Sequence, residues 1–462
     1  MCGIAGVFNY GTKQYVDKAL LKKMTDAIQH RGPDGEGHYY DDENGIGLGH
    51  RRLSIIDLAL GAQPICNEDK TVWITYNGEL YNYKELKKVL EKNHVFKTNS
   101  DTEVIVHAYE EWGEECLKKF NGIFAFAIWD TNQKKLLLAR DAFGVKPLYV
   151  YDDGSTLIFS SEIKALSVHP IFNKQVDITA INQLLTFRMI LAPLTGINNL
   201  SKLSPGHYLI KKDSTSFEKK YWQLELDKHQ YSFDEAKEKL GALMKNAISR
   251  QLMSDVPVGV YLSGGVDSSF VAQEMSKGLA EVHSFIMEFA ENEDMNEGKY
   301  ADQIAKKIHS KHYSLKIGAN EFIDNFEKYV QVMEEPISNF SAISWLFLSA
   351  FVREHNIKVV LSGQGLDEIM GGYDKYIGEK YHNQFRKLAA FGGRKAFKLF
   401  SELAPQKYQR NNQYRRAVNA LEIKDETARF AEILTIFSYN ERKNIFRRDY
   451  FDDDSFQNDL PP

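Results

Sequence analysis

The chain begins MCGIAGVF (Met1–Phe8), in which a cysteine and a glycine precede a short apolar run. A short apolar run interrupted by glycine is typical of a buried strand. Loss of Met1 would leave Cys2 with a free α-amine beside its thiol. That amine has an ordinary pKa of about 7.7 to 8.0, so it can accept the thiol proton directly or through one water. Cys2 is therefore a candidate nucleophile, although a cysteine near a terminus is more often a small buried hydrophobe.

Outward from this strand, the first half of the chain alternates between helical and strand-like patterns. Two sets of apolar residues at helical spacing predict amphipathic helices: Val16, Leu20, Met24 and Ile28, and Ile105, Ala108, Tyr109 and Trp112. Strand-like runs are LGHRRLSII (48–56), TVWITYNGE (71–79), IFAFAIW (123–129), KKLLLAR (134–140), PLYVYDD (147–153) and TLIFSSE (156–162). Strand runs that do not alternate strictly with helices predict an α+β layered domain, with helices packed on antiparallel sheets.

The second half of the chain has a different order of predicted strands and helices. VGVYLSGGVDSS (258–269), VHSFIMEF (282–289) and IKVVLSGQGLDE (357–368) each carry a strand-like run, and amphipathic helices separate them. This alternation predicts an α/β domain with a parallel sheet covered by helices on both faces. A polar stretch from Asp213 to about Ser232 suggests the joint. We therefore predict a first domain over 2–212, a linker over 213–231 and a second domain over 232–462.

Composition sets limits on the function. A length of 462 residues predicts two domains, and a net charge of −5 argues against a nucleic-acid-binding surface. The three cysteines, Cys2, Cys66 and Cys116, are widely spaced and form neither a disulfide framework nor a zinc motif. No stretch approaches the roughly twenty apolar residues of a membrane span, and no signal peptide is visible. We expect a cytoplasmic protein that acts on small molecules, with no nucleic-acid or membrane partner.

Residues that an acyl-transfer site needs occur downstream of Cys2. Asn77 and Gly78 could stabilise an oxyanion, Arg52 could clamp a carboxylate, and Asp101 could receive an ammonium. Each signal alone is weak, because Asn-Gly is usually a turn, paired arginines usually lie on the surface, and Asp101 could simply be the N-cap of a helix with Glu103 in its first turn.

Six motifs in order carry a family resemblance: MCGIAGVF, HRGPDGEG (30–37), GHRRLSIID (49–57), YNGELYNY (76–83), NSDTEVI (99–105) and ARDAFGVKPLYV (139–150). Together they resemble class II glutamine amidotransferase domains, which are N-terminal-nucleophile hydrolases. The resemblance implies that Cys2 attacks glutamine and that Asn77 and Gly78 stabilise the oxyanion. It also implies that glutamine is held by Arg52, Leu53, Ile55, Glu79 and Asp101, and that ammonia and glutamate are the products.

A serine- and glycine-rich loop in the second half is a candidate phosphate site. YLSGGVDSS (261–269) follows a predicted strand and opens a predicted helix, so its backbone N–H groups could bind an anion. A capped loop is the simpler interpretation of this pattern alone, and the absence of GK[ST] excludes a Walker P-loop. The stretch resembles the loop of the PP-loop ATP pyrophosphatases, which cleave ATP between its α and β phosphates.

A second segment, LSGQGLDEIMGGY (361–373), supports the same resemblance. A PP-loop behind a class II glutaminase domain resembles the glutamine-hydrolysing asparagine synthetase family. The resemblance implies ATP and Mg²⁺, formation of β-aspartyl-AMP, and its displacement by ammonia. It places Asp267 and Asp367 near the metal. The implied ATP-binding residues are Leu262, Ser263, Gly264, Gly265, Asp267, Ser268, Ser269, Met287, Ser362, Gly363 and Gln364.

The second half also departs from the family pattern. Gln364 stands where many members have Glu, Leu366 stands where a small residue is usual, and neither a KxDR segment nor an RxPFLD-like motif occurs. A helical region from about Lys387 to Arg447 is followed by an acidic tail, from which we expect an incomplete synthetase domain.

Alternatives therefore stay open at this point. One is an amidotransferase for a different carboxyl, another is a glutaminase with an inactive synthetase half, and a third is a non-enzyme. The retention of Cys2, Arg52, Asn77, Gly78 and Asp101 argues against the third. A homodimer is left open. His30, His50 and His107 show no metal-motif spacing and are interpreted as core or surface residues.

Overall fold

The structure is a computed structural model that describes residues 1–226, 229–291, 296–336, 341–373, 376, 420, 423, 425–437 and 439–446. It divides into two compact units. The first comprises residues 1–175, 192–334 and 344–362, and the second comprises residues 176–191, 335–343 and 363–462.

The strands in chain order are β1 (Gly3–Phe8), β2 (Gly35–Asp41), β3 (Ile46–Arg52), β4 (Ile65–Cys66), β5 (Val72–Leu80), β6 (Gly122–Asp130), β7 (Lys135–Arg140), β8 (Tyr149–Asp152), β9 (Leu157–Ser160), β10 (Leu200–Lys202), β11 (His207–Lys212), β12 (Thr215–Lys220), β13 (Val258–Tyr261), β14 (His283–Phe289), β15 (Lys311–Ile317) and β16 (Val359–Leu361). They form three sheets, ordered β10-β8-β9-β1-β3-β2, β12-β11-β7-β6-β5-β4 and β15-β14-β13-β16.

The described α-helices are α1 (Lys18–Ala27), α2 (Tyr83–Leu90), α3 (Asp101–Trp112), α4 (Ile163–Leu166), α5 (Ile178–Phe187), α6 (Phe233–Gln251), α7 (Val266–Gly278), α8 (Gly298–Lys307), α9 (Ala319–Asp324), α10 (Phe326–Met333), α11 (Ser341–Glu354), α12 (Leu366–Met370), α13 (Glu426–Leu434) and α14 (Tyr439–Ile445). Short 3₁₀ helices cover Gln29–Arg31 and Gly113–Lys119. Among the described helices, none has the length and apolar character that a bilayer span requires.

The two six-stranded sheets are antiparallel and pack face to face. Alternate residues of strand β6 pack into two different hydrophobic cores. Ala125, Ala127 and Trp129 face the other sheet, and the residues between them face helices α2 and α3. Ile4 and Phe8 of β1 meet the same inter-sheet core from the opposite side, and helices α1 and α4 cover the outer face of the β1 sheet. The predicted α+β layered domain is confirmed.

The third sheet is parallel throughout, as predicted for the second half. Val258 and Val260 of β13 pack with Val271 and Met275 of α7 on one face. Phe285 of β14 packs with helix α11 on the other face. The α/β domain with helices on both faces is therefore also confirmed.

Six strands escaped the sequence analysis: β2, β4, β10, β11, β12 and β15, of which all but β11 lie at sheet edges. Strand β15 lies at the edge of the parallel sheet, and its sequence KHYSLKI is more polar than that of a typical central strand. Strand β12 lies inside the predicted linker, pairs with β11 and is exposed along its whole length. Its polarity resembled that of a linker because an edge strand buries few side chains. The boundaries at 212 and 232 stay a prediction.

The second compact unit includes helix α5 and the segment after helix α13. Backbone N–H groups of Ile436 and Phe437 donate to carbonyls of Thr186 and Leu185, at 3.0 and 3.3 Å. The predicted helical region from Lys387 lies mostly outside the described residues, and so does the acidic tail.

Candidate active site

The Cys2 side chain lies beside the segment that follows strand β3. Its Sγ accepts a hydrogen bond from the Leu53 backbone N–H at 3.4 Å and lies 3.7 Å from the Leu53 carbonyl. Arg31 Nε donates to the Cys2 carbonyl at 2.9 Å, which fixes the backbone on the other side. Burial raises the pKa of the Cys2 thiol, so the resting thiol is protonated and needs a base.

A base is available at the amino terminus. Burial lowers the pKa of the terminal amine to about 5, so this amine is neutral at pH 7. Here it belongs to Met1, whose sulfur lies 2.9 Å from the Lys146 ammonium. The positive charges of Lys146 and Arg31 lower the same pKa further. The surroundings of the terminus therefore favour a neutral amine.

Asn77 is the most unusual of the predicted site residues. It lies on strand β5 opposite Ala125 of β6 and is only 1% exposed. Neither its Oδ1 nor its Nδ2 has a hydrogen-bond partner among the described residues. Buried polar groups in native proteins are almost always paired, so an orphaned side-chain amide indicates a partner that arrives with substrate.

Gly78 follows on the same strand, opposite Phe124. A Cβ at this position would lie 2.4 Å from the Ile123 carbonyl oxygen and 2.8 Å from the Phe124 Cα. Both neighbours are backbone atoms that cannot move aside, so only glycine fits here.

Asp101 is buried, Glu79 is half-buried, and the two carboxyls interact electrostatically. Asp101 Oδ2 accepts hydrogen bonds from the Tyr76 hydroxyl and the Leu80 N–H, both at 2.9 Å. Burial and the Asp101 charge raise the pKa of Glu79 to about 8. Burial also raises the pKa of Asp101 itself. The charges of both carboxyls raise the pKa of the Cys2 thiol, which shows that the pair lies within electrostatic reach of the nucleophile.

Asp101 is not the N-cap of helix α3, contrary to the simpler interpretation of its sequence position. The cap is Ser100, whose side chain accepts from the Thr102 N–H at 3.2 Å. Glu103 turns back to accept from the N–H groups of Lys97 and Thr98. Asp101 is the first helical residue, and its carboxylate is directed to strand β5 instead.

Arg52 is tied to the loop that follows it. Its guanidinium donates to the carbonyls of Ile56, Asp57 and Leu58, at 3.3, 2.6 and 3.3 Å. This bonding fixes the loop that holds Leu53 against Cys2. The carbonyl of Ile55, in the same loop, accepts from the Asp255 N–H at 3.1 Å. The structure thus places the predicted residues around one segment but shows Arg52 in a loop-holding position.

Two further residues at this site were not singled out in the sequence. Arg31 bridges the Cys2 carbonyl and Glu162, to which its Nη1 donates at 2.7 Å. Lys146 is buried beside the amino terminus, and burial lowers the pKa of its ammonium. Both residues lie within motifs already quoted, HRGPDGEG and ARDAFGVKPLYV. Their residue types did not indicate a place in the site, because a basic residue in a glycine-rich segment is usually exposed.

The serine- and glycine-rich loop joins strand β13 to helix α7, as predicted. Gly264 has a φ of 82°, a left-handed conformation that favours glycine. A Cβ there would lie 2.6 Å from the Tyr300 Cβ and 2.8 Å from the Ala301 nitrogen. Helix α8 therefore approaches the loop closely, and the glycine permits that approach.

The serine hydroxyls of this loop are arranged in two ways. Ser263 and Ser268 bond to each other, with 3.0 Å between their Oγ atoms, and the Gly265 N–H donates to the Ser263 Oγ at 3.2 Å. The Ser269 Oγ is buried and has no hydrogen-bond partner among the described residues. Helix α7 has no side-chain hydrogen bond from its N-cap residue, Gly265, and the N-terminus of a helix favours an anion.

The other predicted ATP residues lie on separate elements. Leu262 is buried and its N–H donates to the Phe285 carbonyl at 2.9 Å, whereas Met287 lies on strand β14. Asp267 lies in the first turn of α7 and Asp367 in the first turn of α12. Ser362 belongs to the first compact unit, and Gly363 and Gln364 belong to the second.

Two antiparallel sheets with a cysteine at the start of β1, together with a parallel sheet that carries a serine-rich loop, define a glutamine amidotransferase domain joined to a nucleotide-binding α/β domain. The family described as "Glutamine amidotransferase domain" matches residues 1–222. The family described as "Asparagine synthase" matches residues 239–454. The chain belongs to the glutamine-hydrolysing asparagine synthetase family.

Similar proteins support this assignment. The chain is 35% identical to asparagine synthetase [glutamine-hydrolyzing] 3 of Bacillus subtilis over 81% of its length and 63% of that protein. It is 36% identical to asparagine synthetase [glutamine-hydrolyzing] 1 of the same organism, over 59% of that protein. A putative asparagine synthetase [glutamine-hydrolyzing] 2 of Methanocaldococcus jannaschii is 36% identical over 85% of this chain and 79% of that protein. The chain thus spans about three-fifths of the length of the two Bacillus relatives.

Proposed function

We propose that this protein makes asparagine from aspartate and ATP, with ammonia that its first domain releases from glutamine. The observation that carries the glutaminase half is the orphaned amide of Asn77, buried next to Gly78 on strand β5. The observation that supports the synthetase half is the loop at residues 262–269, with an uncapped helix and a buried, unpaired Ser269 hydroxyl.

In the glutaminase half, removal of Met1 puts the amine on Cys2 itself. The amine takes the thiol proton, and the thiolate attacks the side-chain carbonyl carbon of glutamine. Asn77 Nδ2 and the Gly78 N–H donate to the oxyanion that forms. The protonated amine returns its proton to the departing nitrogen, so ammonia leaves and a thioester remains. Water then hydrolyses the thioester to glutamate and frees Cys2.

The remaining predicted residues are proposed to bind the α-ammonium and α-carboxylate groups of glutamine. Asp101 and Glu79 together supply the negative charge that an α-ammonium requires. Arg52 is proposed for the α-carboxylate, while its present bonds to three carbonyls hold the Leu53 loop in place. Ile55 and Leu53 contribute backbone groups from the same loop.

In the synthetase half, a carboxylate of aspartate attacks the α-phosphorus of ATP and pyrophosphate leaves. Ammonia then attacks the acyl carbon of the resulting β-aspartyl-AMP, AMP leaves, and one proton is lost to give asparagine. The proposed phosphate ligands are the backbone N–H groups at the start of α7 and the hydroxyls of Ser263, Ser268 and Ser269. The predicted pocket is completed by Leu262, Met287, Ser362, Gly363 and Gln364.

The carboxylates of Asp267 and Asp367 suit Mg²⁺, because hard divalent cations prefer oxygen ligands. Each begins a helix at which a phosphate would also bind. When bound, the ion would neutralise charge on the phosphate oxygens of ATP. A homodimer and a cytoplasmic location stay predictions from the sequence.

The decisive experiment measures pyrophosphate release and asparagine formation by the purified chain with ATP, Mg²⁺ and aspartate. Glutamine or ammonium serves as nitrogen donor, and glutamate production is measured in parallel. Aspartate-dependent pyrophosphate release supports the proposal. Pyrophosphate release with another carboxylate would identify a different acceptor. Glutamate without pyrophosphate would show a glutaminase whose synthetase half is inactive.

Asp255 connects the glutaminase loop to the segment before strand β13. Its carboxylate accepts from the Asp57 N–H at 2.9 Å, and its own N–H donates to the Ile55 carbonyl at 3.1 Å. We expect Asp255→Ala to leave the rate of glutamine hydrolysis nearly unchanged. The ratio of glutamate to asparagine formed should rise by about twofold or more, because the variant weakens the coupling between the glutaminase and synthetase sites.

Glu85→Ala is the matched control for this variant. Glu85 also joins the two halves, through an ion pair with Arg250 at 2.9 Å, but its side chain is exposed. Exposed pairs contribute little, so the product ratio should stay at the wild-type value. Equal ratios in the Asp255 variant and the wild type would contradict the expected coupling.

Glutamine binding should release a proton near pH 7. Because the pKa of Glu79 is raised to about 8, this carboxyl is mostly protonated in the free protein at pH 7. An ammonium bound beside it favours the charged carboxylate and lowers its pKa, so a proton leaves and affinity rises between about pH 6 and 8. Calorimetry in two buffers of different ionisation enthalpy, on a Cys2→Ala background, measures this release. Glu79→Gln should remove the buffer dependence, and its persistence there would refute the assignment.

A further inference from the structure

A second cluster of polar side chains lies on and beside helix α3, away from Cys2. Glu68, His94, His107 and Glu110 each offer one ligand atom, and these four atoms lie within 4.8 Å of one another. His107 and Glu110 are on helix α3, Glu68 is in the β4–β5 turn, and His94 follows helix α2. The proposed glutamine chemistry uses none of them.

The spacing of these atoms is close to that of a tetrahedral metal site. Four ligands at about 2.0 to 2.1 Å from a zinc ion lie about 3.4 Å from each other. His107 Nδ1 lies 2.8 Å from Glu110 Oε2 and 3.7 Å from Glu68 Oε2. His94 Nδ1 lies 3.7 Å from Glu110 Oε2 and 3.9 Å from Glu68 Oε1. These separations lie on both sides of the tetrahedral value, and because the four ligand atoms are up to 4.8 Å apart, the side chains would draw together to complete the shell.

Both histidines also have a carboxylate on their far side. His94 Nε2 lies 3.3 Å from a Glu111 oxygen, and His107 Nε2 lies 3.7 Å from a Glu103 oxygen. Metal-bound histidines commonly donate their second ring N–H to a carboxylate, which orients the ring. The ligating glutamates are held as well, since Asn67 Nδ2 donates to Glu110 Oε1 at 2.6 Å and the Val95 N–H donates to Glu68 Oε1 at 2.7 Å.

The charge of the cluster calls for a cation. Four glutamates surround the two imidazoles, and among the described residues no lysine or arginine forms an ion pair with any of the four. A divalent ion bound by the cluster would offset this negative charge.

We propose that Glu68, His94, His107 and Glu110 bind one zinc ion. Four protein ligands leave no open position, so the site is structural and not catalytic. The ion would join the β4–β5 turn and the segment after α2 to helix α3, whose first residue is Asp101. The side chains of Glu68 and Glu110 are 34% and 21% exposed, which gives the ion a path from solvent.

The experiment uses the full chain, stripped of metal with a chelator and titrated with Zn²⁺ against a chromophoric competitor. We expect saturation at about one ion per chain. Glu68→Gln and His94→Gln should each weaken binding by about 10- to 100-fold or more. Co²⁺ in the same site should show the strong visible bands of a tetrahedral ion and no sulfur charge-transfer band, which excludes the cysteines as ligands.

The control is Glu115→Gln, which removes an exposed carboxylate paired with Lys118 at 2.7 Å and should bind zinc as the wild type does. Glu68 is exposed, so its variant should fold even if the His94 variant does not. Zinc should also raise the thermal unfolding temperature of the wild type and not that of Glu68→Gln. No saturable binding, or equal affinity in the wild type and Glu68→Gln, would show that protonated histidines alone balance the glutamates.

Discussion

Replacing Cys2 with alanine should abolish glutamine hydrolysis, by more than about 10³-fold in kcat, while ammonia-dependent asparagine synthesis continues. The thiol is the only group proposed to attack the amide carbonyl. The parallel sheet and its serine-rich loop are built from other residues, so ammonium supplied in solution should still react. Glutamate and asparagine production are measured on the same sample.

Cys66→Ala is the matched control, because Cys66 is a half-buried free cysteine on strand β4. It should retain both activities. An electrophilic glutamine analogue should add its mass to the wild type and to Cys66→Ala, and not to Cys2→Ala. Retained hydrolysis in Cys2→Ala would disprove the assignment of the nucleophile. Loss of ammonia-dependent synthesis in the same variant would show instead that the substitution damages the fold.

The sheets were predictable because their strands have simple burial patterns. Strand β6 alternates between two cores, and the runs of the parallel sheet are apolar enough to be covered on both faces. Strands β12 and β15 were missed because edge strands bury little and their sequences stay polar. Strands that bury many side chains could therefore be predicted from the sequence, whereas strands that bury few could not.

The candidate site was predictable only in its residue types. Cys2, Asn77 and Asp101 could be selected because their chemistry is specific and their motifs occur in order. Their surroundings depend on contacts between distant segments, such as Arg31 with Glu162 and Cys2 with Leu53. The four residues of the proposed zinc site come from three segments with no motif spacing, so the sequence analysis interpreted His107 as a core or surface residue.

Replacing Asn77 with alanine should lower kcat for glutamine hydrolysis by about 10²- to 10³-fold, which is the usual cost of one oxyanion-hole donor. The amide donates to nothing among the described residues, so in the free protein it is a buried polar group without compensation. Its only productive bond would form in the transition state, where the carbonyl oxygen gains charge. The KM for glutamine should therefore change much less than kcat.

The same substitution should not destabilise the fold, and this separates a catalytic role from a structural one. Removing an unpaired buried amide loses no hydrogen bond, so the thermal unfolding temperature should stay the same or rise. Thr75 on the same strand is the matched control: its hydroxyl donates to the Gly49 carbonyl at 3.1 Å, so Thr75→Ala should lower the unfolding temperature and leave kcat close to wild type. If Asn77→Ala instead loses stability and keeps its activity, the amide serves the packing of β5 and the oxyanion must be stabilised by another group.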